Sequence, residues 1–221
     1  MGKGQGMGSH LSRGLGATVA SALALLVVVA LFALAACGVS GNSNPTRPTS
    51  LPTRSAPVAA VSFPADQKPE SEGDSGGGST GGLEFVPWVD IEVSALGYYD
   101  HGQDGLRNDH NVVIYDSSRA AVTSTVIVNG TSDLDGLFRY EPIEPVVLKA
   151  GRHYLLAYLS AMSGDPYADP DGVVWAPEIR FVRFQEHDDG WAYPAGTWAF
   201  MDLTGNFRFL PISAASPSPL P

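Results

Sequence analysis

The sequence has a single cysteine, Cys37, in 221 residues. That excludes an internal disulfide framework and a cysteine-rich zinc site. Basic residues are also scarce: 13 Lys+Arg stand against 23 Asp+Glu, for a formal net charge of -10. A nucleic-acid partner is disfavoured, because it needs a basic face to neutralise phosphates. Motifs of catalysis are missing too. There is no Gly-x-Ser-x-Gly elbow, no Walker loop and no His-Glu-x-x-His. Beyond residue 36, no stretch sustains a helical period of apolar residues.

Charge is absent as well from residues 14–45, and within them 17–36 is almost continuously apolar. Lys3, Arg13 and the α-amino group precede this run. A positive start, an apolar run and small residues before a cleavage point read as a secretory signal peptide over 1–36. The ending Leu34-Ala35-Ala36-Cys37-Gly38 resembles the bacterial lipobox. That resemblance implies thioether lipidation of Cys37, cleavage before it and acylation of the new N-terminus. The alternative is an uncleaved transmembrane helix, since about 20 apolar residues span a bilayer. Both readings export the C-terminal part and tie it to the membrane. The lipid anchor is favoured, because the sole cysteine falls at the lipobox position.

Residues 37–82 are dominated by Ser, Thr, Pro, Gly and Asn, with six prolines and a glycine-rich end. Such a composition buries too little apolar surface to offset chain entropy, and reads as a disordered tether. A tail over 213–221, with three prolines, reads the same way. Residues 83–212 are rich in Val, Ile, Tyr, Phe and Trp, and match one domain in size. Residues 84–221 carry 8 Lys+Arg and 19 Asp+Glu, so the acidity sits in this domain.

Period-two alternation dominates here. Val89, Ile91, Val93 and Ala95 point one way, while Asp90, Glu92 and Ser94 point the other. Further strands are expected at 112–115, 122–128, 138–140, 146–148, 154–159, 173–175, 179–184, 198–203 and 207–210. Asn129-Gly130, Asp135-Gly136, Ala150-Gly151, Asp171-Gly172 and Thr204-Gly205 supply turns between them. The expected fold is all-β: an antiparallel β-sandwich with jelly-roll or Greek-key-like connections. Leu148, Gly151 and Tyr154 stand as L-x-x-G-x-x-Y. This spacing suits a tyrosine corner, whose phenol ties back to upstream backbone. An ordinary hairpin turn with a core tyrosine fits as well.

The motif order is 93–100 (VSALGYYD), 104–106 (DGL), 110–116 (HNVVIYD), 136–140 (GLFRY), 145–151 (PVVLKAG), Tyr154 and 205–207 (GNF). It resembles an uncharacterised secreted β-sandwich domain found in bacterial surface proteins with PEP-CTERM-type sorting tails. The resemblance covers about half the chain. It implies a β-sandwich at the cell surface and no established catalytic residues. No such tail is visible here, and the lipid anchor would take its place.

Three chemistries have candidate residues. For Ca²⁺, Asp100, Asp104 and Asp109 share a glycine-containing loop. Calcium takes six to eight oxygens, but Gly102 and Asn111 fall at ligand positions of the EF-hand template. Only a looser loop site is left. Asp165, Asp169 and Asp171, or Asp133 and Asp135, are weaker versions. For a transition metal, His101 and His110 flank the first loop. For carbohydrate, the long polar loop 185–197 carries Trp191 and Tyr193, whose rings suit stacking on sugars. The competing explanations are plain: Asp and Gly populate turns for backbone reasons, and Trp and Tyr fill cores. Asn129 opens a glycosylation sequon that also fits a hairpin turn.

The resulting expectation is a membrane-anchored envelope lipoprotein presenting a non-catalytic binding or adhesion module. Its partner would be an extracellular polysaccharide, with Ca²⁺ as a candidate aid. The alternatives are a structural envelope component making protein–protein contacts and a carbohydrate-active enzyme built on a carboxylate pair.

Overall fold

The computed structural model describes residues 47–48, 50–64, 71–72, 78–130, 132–160, 165–168, 172–188, 190–197 and 203–212. The signal run 1–36, Cys37, the expected strand residues 198–202 and the tail 213–221 lie outside the described residues. The strands, in chain order, begin with β1 (Val58–Ala59), β2 (Val61–Ser62), β3 (Ser71–Glu72), β4 (Ser79–Pro87) and β5 (Ile91–Tyr99). Next come β6 (His110–Asp116), β7 (Ala121–Ile127), β8 (Asp133–Asp135), β9 (Phe138–Leu148) and β10 (Tyr154–Ser160). The last are β11 (Tyr167–Ala168), β12 (Val174–Trp175), β13 (Ile179–His187), β14 (Gly196–Thr197) and β15 (Gly205–Pro211). A three-residue 3₁₀ turn, His101–Gln103, is the one helical element among the described residues.

Two antiparallel sheets form the sandwich. One has the order β1-β15-β5-β9-β8, the other β14-β13-β4-β10-β6-β7. Their inner faces supply Ile91, Leu96, Tyr98, Phe207 and Phe209 from the first and Leu83, Phe85, Ile114, Leu156 and Tyr158 from the second. Phe85 and Phe207 meet at 4.9 Å between ring centroids. The tyrosine corner is present: the Lys149 N–H donates to the Tyr154 hydroxyl at 2.9 Å. Gly151 takes φ 73° in this turn, a conformation open to glycine.

The alternation legible in β5 is broken by a bulge between Val93 and Ala95, so Leu96 and Tyr98 also turn inward. The segments expected at 138–140 and 146–148 are one strand, β9. Its Pro145 falls within that irregularity and Pro142 stands at its edge, opposite Ala95.

The sandwich also reaches into the segment whose composition suggests a tether. β1 pairs with β15, Ala60 and Val61 are buried, and Arg54 pairs with buried Glu178 at 2.7 Å. β4 opens at Ser79, and Gly81 and Gly82 lie inside the sheet. The reason is steric. A Cβ on Gly81 would stand 2.5 Å from the Tyr158 ring, and one on Gly82 would stand 2.7 Å from Pro194. The glycines are there for close packing, which composition alone cannot distinguish from flexibility.

Candidate functional site

Strand alternation puts one set of side chains on the outer face of the six-stranded sheet. On β4, Leu83 and Phe85 enter the core and Glu84 lies between them, facing out. Arg183 on β13 is its cross-strand neighbour, and Leu155 on β10 flanks the other side. The loop after β13 folds back over this face and is pinned there. Thr80 Oγ donates to the Gly190 carbonyl at 2.6 Å and accepts from the Ala192 N–H at 3.1 Å. Pro194 is buried against Gly82, and the Tyr193 ring meets Tyr115 of β6 edge-on at 5.1 Å.

Between this loop, the β6–β7 turn and the β9–β10 turn lies an open groove of about 600 Å³. Its charged lining is Glu84, Asp116, Arg119, Arg152 and Arg183, with His153, Gln185 and Tyr193 beside them. Glu84 is fully engaged. One oxygen pairs with His153 Nδ1 at 2.5 Å, and the other accepts from Arg183 Nε at 2.5 Å and Gln185 Nε2 at 2.9 Å. Burial alone would raise its pKa. The hydrogen bonds from His153 and Arg183 outweigh that and hold it below the usual range. Asp116 is also lowered, by hydrogen bonds from the Ser118 hydroxyl and the Ala120 N–H that close its own turn. Both groove carboxylates are therefore anions at neutral pH, and neither is poised as a general acid.

Arg119 sits in that same turn with φ 67°, where a non-glycine residue is uncommon. Its guanidinium lies 4.8 Å over the Tyr193 ring centroid. Among the described residues, neither Arg119 nor Arg152 has a carboxylate partner within ion-pair distance.

The structure separates the two expected aromatic residues. Tyr193 lines the groove, but its face is covered by Arg119 and its ring abuts Tyr115. Trp191 is 42% exposed and does not line the groove. They do not form one stacking platform.

The carboxylates of the expected calcium loop are engaged separately. Asp100 is 1% exposed, and its Oδ2 receives Arg139 Nε at 2.6 Å and the Gly105 N–H at 3.1 Å. Its charge is already neutralised by a guanidinium. Asp109 accepts the Asn129 N–H at 2.9 Å, and Asp104 is exposed. Among the described residues, no three His, Cys, Asp or Glu side chains converge to hold a metal ion.

His110, a flanking histidine, has both ring nitrogens within hydrogen-bond distance of protein oxygens. It is buried and stacked on Tyr98 at 3.6 Å, with Nδ1 3.1 Å from the Leu159 carbonyl and Nε2 3.0 Å from Asp165. Asp165 also accepts the backbone N–H groups of Arg107 and Asn108. Asp169 and Asp171 lie outside the described residues. Asp135 pairs with Arg208 at 2.6 Å.

Sequence reasoning missed Glu84 and the arginines of the groove. The local signal was a glutamate in the apolar strand Leu83–Phe85 and arginines in the outward phase of β13. Their convergence depends on strand order, which no local window carries. Set against protein-family models, curated proteins and solved structures, the chain matches none of them. Among the described residues, no helix is long and apolar enough to cross a membrane, and the apolar run 17–36 is not among them.

Proposed function

We propose that this chain is an exported, membrane-anchored lipoprotein of the bacterial envelope whose β-sandwich is a non-catalytic binding module for extracellular saccharide. The anchor rests on the lipobox-like residues 34–37, and the surface role on the resemblance to secreted sandwich domains. The observation that carries the binding reading is the groove on the sheet's outer face. It is open, polar, roughly sugar-sized and preorganised by the Glu84 network and the pinned loop 190–197. Binding is favoured over hydrolysis because both groove carboxylates are held ionised, whereas a glycosidase pair needs one protonated member. The test is a glycan array probed with the full chain in detergent, alongside Arg183→Gln. Retention of defined oligosaccharides, weakened by the substitution, is expected. An array without binders contradicts the reading. Metabolic lipid labelling that survives Cys37→Ser contradicts the anchor.

A second reading has its own observation. β7 is an edge strand of seven residues, Ala121–Ile127, with no charge and no proline, and Val126 is exposed. Such an edge invites pairing with another strand, as an envelope assembly module would use. Val126→Lys should then abolish self-association in light scattering; a chain that is monomeric without the substitution removes this reading.

A further inference from the structure

We infer that the groove reads an anionic saccharide, a uronate-type chain whose carboxylates are taken by Arg119, Arg152 and Arg183. This rests on the saccharide-binding reading above and narrows it to a chemical class. Three lines of geometry converge on it.

The first is charge placement. Residues 84–221 have 8 Lys+Arg against 19 Asp+Glu, yet three of those eight line one groove beside only two carboxylates. In a chain of net charge -10, this concentration of guanidinium is a local reversal of sign.

The second is the state of those two carboxylates. The oxygens of Glu84 are occupied by His153, Arg183 and Gln185, and Asp116 Oδ1 accepts from Ser118 and Ala120. The Glu84 charge is thus balanced inside the protein by Arg183, and Asp116 Oδ1 is held in its own turn. Among the described residues Arg119 and Arg152 make no ion pair within 4 Å, though the Arg152 charge acts on Asp116, and both line the groove. Guanidinium forks match carboxylate geometry with two parallel hydrogen bonds.

The third is Tyr193. A neutral sugar would be held mainly by stacking on an open aromatic face. Here that face carries the Arg119 guanidinium, and Tyr115 braces the ring edge-on. Tyr193 is thus a positioning residue: it holds Arg119 over the groove.

The test is titration calorimetry of the full chain in detergent with oligogalacturonate and oligomannuronate, each beside its methyl ester. The ester keeps the sugar skeleton and removes the charge. One acid form should bind at least about tenfold more tightly than its ester, with affinity falling as salt rises. Arg119→Gln with Arg152→Gln should remove that difference, and Tyr193→Leu should weaken the acid form while leaving the ester unchanged. Arg107→Gln, an exposed arginine outside the groove, should change nothing. Equal binding of acid and ester overturns the inference and leaves the saccharide reading standing. Binding of neither acid form, with neutral sugars retained on the array, does the same. No saccharide binding in either experiment removes both. Equal loss in Arg107→Gln marks non-specific attraction and overturns the inference. Competition by inorganic sulfate as strong as by the oligosaccharide reduces the site to an anion site and also overturns it.

Discussion

Asp100, expected in a calcium loop, pairs in the fold with Arg139. Asp100 follows β5 directly, and Arg139 ties it to β9 while also donating to the Ser132 carbonyl at 3.0 Å. The Asp100 side chain is only 2% exposed. Removing its partner strands a buried carboxylate, so Arg139→Gln should cost about 3–5 kcal/mol in urea unfolding. A loss below about 1 kcal/mol, the range of exposed pairs, would refute the assignment. Asp165 gives a pH prediction. Burial pushes its carboxyl up, but hydrogen bonds from His110 and from the Arg107 and Asn108 N–H groups bring it below the ordinary value. A depressed folded-state value means its stabilisation is fully present above the unfolded value, about 3.9, and is lost as pH falls through the folded one. Stability measured down to pH 2 should fall less steeply in Asp165→Asn; an unchanged acid limb would contradict this.

At the scale of elements, glycines decide how strands and loops meet. The Tyr158 ring is flanked by Gly81 of its own sheet and Gly205 of the opposite one, and a Cβ on Gly205 would approach it to 2.2 Å. Gly205→Ala should therefore cost about 1–3 kcal/mol by overpacking, read from the unfolding midpoint. Gly82→Ala should push Pro194 and the 190–197 loop off the sheet, and so weaken saccharide binding more than it weakens the fold. These contacts also mark the limit of what the sequence made legible. Val112, Ile114, Leu156 and Tyr158 announced their strands because a short apolar run between turn signals is local. The tyrosine corner was legible because its turn and its phenol lie within seven residues. Val58, Ala59 and Ser79 were not, because their strands exist only through β15 and β10. The groove was legible only through Tyr193. Glu84, Arg119, Arg152 and Arg183 come from four separate segments, and strand order alone brings them together.

At the scale of the molecule, the described residues form a sandwich within an acidic chain, with an arginine-rich groove on the outer face of the six-stranded sheet. Asp100 and Asp135 pair with arginines of the protein itself, and Asp109 accepts a backbone N–H. Thermal unfolding should therefore show no larger shift with millimolar Ca²⁺ than with Mg²⁺, since only specific binding to the native state raises the midpoint beyond screening. A calcium-specific rise would return attention to residues 100–109. The account stands or falls on where a ligand lands. Hydrogen exchange of the full chain with and without a bound oligosaccharide measures that directly. Protection confined to residues 116–120, 152–155 and 183–197 is the predicted result. Protection of residues 101–109 or of the β7 edge, with the groove unchanged, would contradict it.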